Sequence, residues 1–333
     1  MHKNFKILFL NTLFISSLLT ISSTSWFIMW IGLEINLLSI VPLMMTNQNL
    51  YRSESCMKYF IVQAIASAFL LYSMASMQMA DTTPHEITMP SMIFFSALMM
   101  KMGMAPFHYW FPEVLEGLNW KNCLIMMTWQ KIAPSCLIMY FITPNQTMAA
   151  IIAMSTIISS FMGMKQTSIR KILAYSSINH MAWMLVTMMI SPVLWFIYFS
   201  IYAITNFAII YFLEKTWSNE INQMNSASLS QDLSKIMFAV NLFSLGGLPP
   251  LVGFLPKWLT IMDMTLYDLM VMALLIILFT LITLMFYLRL GFSSYMKKND
   301  KLINSNKFYL PNWIPTINVI LMLSLIILPP ITS

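Results

Sequence analysis

Runs of about twenty apolar residues, the length of a helix that spans a bilayer, recur from one end of this chain to the other. The composition agrees with this pattern, because 59% of the residues are apolar and only 9% are charged. Soluble domains carry roughly 25% charged residues. The sequence therefore predicts an all-α polytopic membrane protein without a soluble domain.

The hydropathy pattern predicts about eleven transmembrane helices. They are expected at residues 6–24, 26–45, 56–79, 91–111, 121–143, 147–163, 169–190, 193–213, 234–265, 269–291 and 312–331. Two loops, 214–234 and 293–311, are polar enough to lie on the surface. The ninth span is long because glycines and prolines interrupt it near residues 246–250.

The basic residues predict how these helices are oriented. All but three of the 18 lysines and arginines fall in loops or at span ends on the N-terminal side of this arrangement. The opposite loops hold acids such as Asp81, Glu86 and Asp268. The positive-inside rule puts the N-terminus on the matrix or cytoplasmic side and the C-terminus on the other. The net charge of +6 thus favours membrane orientation over nucleic-acid binding, because it forms no patch for a duplex.

The three remaining basic residues, Lys101, Lys131 and Lys257, fall within spans, together with one deeply placed acid, Glu34. A charge inside a bilayer costs at least ~2.5–3.5 kcal/mol, so each is a functional hypothesis by default. Amines shielded from water can exchange protons near neutrality. A carboxylate that pairs with Lys101 in one state and releases it in another would drive that exchange. The alternatives are a lysine that snorkels to the interface for Lys101 and a structural ion pair for Glu34.

Two sets of helix-breaking residues share one spacing, three and then six residues, at a constant offset of 144: Gly103, Pro106 and Pro112, and Gly247, Pro250 and Pro256. Two interrupted spans at corresponding positions are typical of transporters with internal repeats. We therefore expect a five-helix repeat at 1–143 and a second at 147–291, inverted because five is odd. Residues 292–333 would form a surface loop and one extra C-terminal helix.

Two histidines could assist a proton relay. His108 lies in the first interrupted span. His180 lies in the polar segment 176–180, which contains the position equivalent to Glu34 at the offset of 144. Each could equally be a histidine that only packs and makes a hydrogen bond within its helix.

Motifs for redox or metal chemistry are missing from the sequence. Cys56, Cys123 and Cys136 have no CxxC spacing, so neither a disulfide framework nor a metal site is predicted. The chain has no GxGxxG fingerprint, no cysteine cluster for iron–sulfur and no paired histidines for haem. We expect no cofactor in this chain.

Five motifs together resemble the antiporter-like membrane subunits of respiratory complex I. They are Gly-Leu-Glu-Ile-Asn-Leu-Leu at 32–38, Lys-x-Gly-x-Ala-Pro-Phe-His-x-Trp-Phe-Pro at 101–112, Trp-Gln-Lys-Ile-Ala-Pro at 129–134, Ser-Ser-Ile-Asn-His-Met-Ala-Trp at 176–183 and Leu-Gly-Gly-Leu-Pro-Pro-Leu-x-Gly-Phe-Leu-Pro-Lys-Trp at 245–258. The resemblance covers almost the whole chain.

The resemblance implies a proton-translocating subunit of the mitochondrial inner membrane, with the N-terminus in the matrix and the C-terminus in the intermembrane space. Glu34 with Lys101, then Lys131, then Lys257 would form the relay. Partners would be the other membrane-arm subunits and membrane lipids, with cardiolipin a candidate, and not nucleic acid. NADH, FMN, iron–sulfur clusters and ubiquinone would act elsewhere in the complex. The alternatives are a stand-alone cation/proton antiporter and a scaffold that no longer pumps.

Overall fold

A computed structural model describes residues 3–45, 50–79, 89–141, 146–216, 219–221, 223, 232–249 and 251–295 of the chain. All secondary-structure elements within these residues are helices, apart from an isolated antiparallel bridge between Ser168 and Glu220. The predicted eleventh span, 312–331, lies outside the described residues, as do Pro250, Asp81 and Glu86.

The helices follow the apolar runs. They are α1 Lys3–Ser22, α2 Trp26–Met44, α3 Leu50–Met79, α4 Met89–Met102, α5 Trp110–Gly117, α6 Trp120–Met127, α7 Trp129–Phe141, α8 Gln146–Lys165, α9 Ile169–Ile190, α10 Pro192–Thr216, α11 Asp232–Gly246, α12 Phe254–Leu266 and α13 Met270–Tyr295. Six of these described helices (α1, α2, α3, α8, α10 and α13) are long and apolar enough to cross a membrane. The architecture is that of an all-α polytopic membrane protein.

The chain forms two compact units, Met1–Ile151 and Ile152–Ser333. In the first unit α1 packs on α2 and α7, while α3 packs on α2, α4 and α5. In the second unit α9 packs on α10, α12 and α13, and α11 packs on α10 and α13. Nearly all of α9 is buried, including every residue from 172 to 188.

The two interrupted spans end their first helices with the same hydrogen bonds. α4 ends at Met102, and Gly103 (φ 72°) donates to the Met100 carbonyl while the next amide donates to Met99. α11 ends at Gly246, and Gly247 (φ 78°) and the amide after it repeat both bonds. This is the Schellman motif, which needs a left-handed residue and therefore favours glycine.

Pro112 and Pro256 were expected to break helices, but the structure places them near the starts of helices. Pro112 and Pro256 are the third residues of α5 and α12, in the first helical turn. A proline lacks only an N–H there that would find no partner within the helix. Both prolines therefore begin helices instead of interrupting them.

The fifth predicted span, 121–143, is not one continuous helix. Thr128 separates α6 from α7 with φ −114° and ψ −74°, and its hydroxyl donates to the Leu124 carbonyl at 2.7 Å. The Lys131 amide then donates to the Thr128 carbonyl three residues back. A threonine that bonds to the preceding turn distorts a helix locally, and here it does so one turn before a buried lysine.

Candidate functional site

Two of the three lysines predicted within spans line one cavity of the first unit. Lys101 reaches it from the last turn of α4, and Lys131 reaches it from the first turn of α7. Both are buried, with 7% and 2% of their surfaces exposed. The cavity measures about 20 Å³. A space of roughly 10–15 Å³ already holds one water, so the cavity that the two lysines line has room for about one water.

Glu34, the predicted partner of Lys101, lies half-buried on α2. Its carboxylate attracts the Lys101 ammonium electrostatically. No N···O contact of 4.0 Å or less joins the two in the part of the chain that the structure describes. Among the same residues, Glu34 Oε1 is buried without a hydrogen-bond partner. The two groups therefore form an open charge pair, that is, two charges that attract each other without the direct N···O contact of a salt bridge.

A bridge of three neutral side chains crosses the same cavity. Gln130 on α7 donates from Nε2 to Asn36 Oδ1 on α2 at 2.9 Å. The Tyr59 hydroxyl on α3 donates to Gln130 Oε1 at 3.4 Å. Gln63, one turn further along α3, donates to the Lys101 carbonyl at 3.4 Å. All four residues line the cavity, so part of its wall is polar.

The Lys131 amine contacts an aromatic ring. Lys131 Nζ lies 4.9 Å from the centre of the Phe111 ring, which belongs to the first turn of α5. A cation over an aromatic face is attracted by the ring quadrupole, more strongly away from water. The helix that restarts after the first break thus supplies a surface for the charge of Lys131.

His108 lies in the turn between α4 and α5 and is buried. Its Nδ1 is 3.3 Å from the Pro106 carbonyl, so this nitrogen donates. Its Nε2 is buried and has no hydrogen-bond partner among the described residues. His108 therefore presents a buried acceptor, as an auxiliary relay group would.

The third lysine, Lys257, belongs to the second unit and lies at the break between α11 and α12. Its Nζ donates to the Gly246 carbonyl at 2.8 Å and to the Leu245 carbonyl at 3.2 Å. These carbonyls end α11, where the helix dipole favours a positive charge. The ammonium also lies 5.9 Å from the Trp183 ring centre. Lys257 thus caps the helix that precedes it.

His180 is one turn before Trp183 on α9, in a buried polar cluster of the second unit. Its Nδ1 lies 3.0 Å from the Tyr198 hydroxyl on α10, and the Tyr202 ring packs at 5.1 Å. The adjacent Asn179 donates to Thr283 Oγ1 of α13 at 3.4 Å. This cluster has hydrogen-bonding groups from three helices and no charged residue among those named.

Tyr59 and Gln63 were not predicted as site residues from the sequence. Asn36 and Gln130 appeared only within the motifs at 32–38 and 129–134. These neutral polar side chains carry no strong sequence signal individually. Their shared signal is a polar residue placed within an apolar span. Among the described residues, no group of three or more His, Cys, Asp and Glu could hold a metal ion.

Comparison with known proteins places this chain in a family. The family model described as NADH:quinone oxidoreductase/Mrp antiporter, TM, matches residues 23–283. NADH-ubiquinone oxidoreductase chain 2 of Anopheles gambiae is 45% identical over 305 residues, which are 90% of this chain and 89% of the relative. The protein of the same name from Locusta migratoria is 44% identical over 294 residues, covering 88% and 86%.

Solved structures share the fold. A chain of respiratory complex I from Thermus thermophilus with bound aureothin superposes with a TM-score of 0.83 at 23% identity, covering 97% of this chain and 78% of that one. A chain of the Mrp complex from Dietzia sp. gives 0.78 at 16% identity, covering 86% and 60%.

The fold and the matched region define a polytopic membrane protein of the NADH:quinone oxidoreductase/Mrp antiporter family. Within that family, the chain belongs to the NADH-ubiquinone oxidoreductase chain 2 proteins.

Proposed function

We propose that this chain translocates protons across the mitochondrial inner membrane as a subunit of respiratory complex I. The observation that carries the proposal is the cavity shared by Lys101 and Lys131, with Glu34 acting on Lys101 from α2. Two buried amines around a site of about one water can pass a proton through that water. The charge of the open Glu34–Lys101 pair then sets which amine holds the proton.

Lys257 is the terminal exchange group in this proposal, and His108 and His180 are auxiliary groups. Lys257 suits that role because its ammonium is held by two carbonyls and by no acid among the described residues, so it can lose a proton without leaving an unpaired carboxylate. The sequence carries no dinucleotide fingerprint or cysteine cluster, so we place NADH, FMN, iron–sulfur clusters and ubiquinone in other subunits.

We also propose that residues 1–143 and 147–291 are inverted five-helix repeats within an eleven-helix chain. Helix starts support this: α1 begins at Lys3 and α8 at Gln146, and α2 begins at Trp26 and α9 at Ile169, each 143 residues later. α5 begins at Trp110, and α12 begins 144 residues later. The matching Schellman motifs after α4 and α11 add the same offset of 144.

The polar lining of the cavity supports the repeat independently. Asn36, Tyr59 and Gln63 of the first unit correspond, at an offset of 143, to Asn179, Tyr202 and Asn206 of the second, and all six are buried. A neutral polar set that recurs at one offset on successive helices is expected of a duplicated scaffold. The N-terminus then lies in the matrix, and the neighbours are other membrane-arm subunits and lipid, with cardiolipin a candidate.

Replacing Lys131 by Gln tests the proposal. We expect the complex to assemble and to lose proton pumping and coupled turnover by at least about tenfold, the scale of a lost proton-transfer group. Pumping is measured as acidification of the interior of vesicles that contain the complex, per NADH oxidised outside them.

Lys165→Gln is the matched control, because Lys165 is an exposed lysine at the end of α8. It removes one positive charge without touching the cavity and should leave pumping unchanged. Full pumping by the assembled Lys131→Gln complex would refute the role of Lys131 and favour a scaffold.

A further inference from the structure

The bridge of Tyr59, Gln130 and Asn36 has no complete counterpart in the second unit. Asn36 and Tyr59 recur there as Asn179 and Tyr202, but Gln130 does not, since the residues 143 and 144 positions later are alanine and leucine. In the second unit Asn179 donates to Thr283 instead. We therefore expect Gln130 to serve a role that is specific to the first unit.

Gln130 is placed to act on both lysines. It precedes Lys131 in the first turn of α7 and lines the cavity that Lys101 also lines. Its amide is fixed at both ends, because Nε2 donates to Asn36 and Oε1 accepts from Tyr59. A primary amide has two N–H donors and two acceptor lone pairs. Each bond uses one of these, so a second donor and a second acceptor site remain.

A water in a cavity of about 20 Å³ needs two to four polar partners to stay ordered. While they are charged, the two lysines offer only donors and no acceptor. An acceptor that does not depend on their charge must come from the neutral wall. Gln130 supplies one at the cavity, and its orientation is fixed by residues on two other helices.

We propose that Gln130 is a positioning residue for proton transfer between Lys101 and Lys131. Asn36 and Tyr59 hold its amide so that it binds one water in the cavity that the two lysines share. That water accepts a proton from one ammonium and gives a proton to the other amine, so the number of protons is conserved. The inference rests on the proposed function, since it assigns a role within that transfer.

Two variants of complex I test the inference. Gln130→Met removes the amide and keeps the side-chain length, and we expect coupled turnover per assembled complex to fall at least about tenfold, as when a positioning group is lost. Tyr59→Phe removes one hydrogen bond, and we expect a fall of about two- to tenfold. In both, the KM for quinone should stay unchanged, and the solvent deuterium isotope effect on turnover should rise.

Tyr140→Phe is the matched control, because it also removes a tyrosine hydroxyl that spans two helices, here to the Ile21 carbonyl at 3.2 Å. It lies away from the cavity and should change neither turnover nor the isotope effect. If Gln130→Met does not assemble, Tyr59→Phe still decides the question.

The inference is overturned if both cavity variants match Tyr140→Phe in turnover and isotope effect. If Lys131→Gln abolishes pumping in the same preparation while the cavity variants behave like the control, only the role of Gln130 fails. If Lys131→Gln pumps normally, the proposed function fails first.

Discussion

Gly246 and Gly247 stand side by side at the end of α11, but their backbones differ. Gly247 has φ 78°, and a Cβ added there would lie 2.8 Å from Lys257 Cδ and 3.0 Å from its Nζ. A Cβ at Gly246 would meet its nearest neighbour, Leu284, at 3.6 Å, an ordinary contact. One glycine is required by the Lys257 site, and the other is replaceable.

We therefore predict opposite results for two alanine variants. Gly247→Ala should destabilise the break by about 1–2 kcal/mol through its left-handed backbone, and it should reduce pumping by displacing Lys257. Gly246→Ala should leave both unchanged. The effects are measured as the thermal inactivation midpoint and the number of protons pumped per NADH by the assembled complex. Equal losses in the two variants would contradict the close contact between Gly247 and Lys257.

The charged residues of the site were predictable one by one, but their neutral neighbours were not. Lys101, Lys131 and Glu34 stand out because charge is rare in an apolar span. Tyr59 and Gln63 do not, because tyrosine and glutamine occur in many helices without any function. Only the packing of α3 against α2 and α4 brings them to the cavity. The sequence does not encode that packing in any short pattern.

Besides their matching Schellman bonds, the two broken helices are capped by different side-chain donors. In the first unit the Trp110 indole donates to the Met100 carbonyl at 3.1 Å, near the end of α4. In the second unit the cap of α11 is the Lys257 ammonium. A neutral donor fixes the first break whatever the charge of Lys101. At the second break the donor is the proposed exchange group itself.

This difference predicts how the caps respond to removal. Trp110→Phe should lower stability by about 0.5–1.5 kcal/mol, the net value of one hydrogen bond, and keep most of the pumping. Lys257→Met should abolish pumping, because it removes the exchanging amine as well as the cap. Both are measured as pumping per assembled complex. If Trp110→Phe is as damaging as Lys257→Met, capping is the essential property and the amine is not.

Most helices could be predicted from the sequence, and α9 coincides with the predicted span 169–190. The breaks after α4 and α11 were predictable because glycine has a special role in a Schellman motif. The interruption at Thr128 was not, since threonine is common in helices and its bond to Leu124 distorts only one turn. Hydropathy therefore identified this span but not its inner break.

For the whole molecule, the orientation proposed from charge gives a direct labelling test. The α8–α9 turn should face the matrix, and the α12–α13 turn should face the intermembrane space. Lys165→Cys and Tyr267→Cys put exposed thiols in these two turns. A membrane-impermeant maleimide should label Lys165→Cys in inside-out particles and Tyr267→Cys in mitoplasts.

Background labelling should be low, because Cys56 and Cys123 are buried and Cys136 is partly so. The unsubstituted chain in both preparations is the control. Labelling of both variants from one side would contradict the eleven-helix arrangement, which places three spans between these two positions.

The burial of α9 also constrains how the protein is made. Alone in lipid, this helix would expose Asn179 and His180 to hydrocarbon, where each unsatisfied group costs several kcal/mol. Their partners, Tyr198 on α10 and Thr283 on α13, are translated later. α9 therefore reaches its final surroundings only after α13 has left the ribosome.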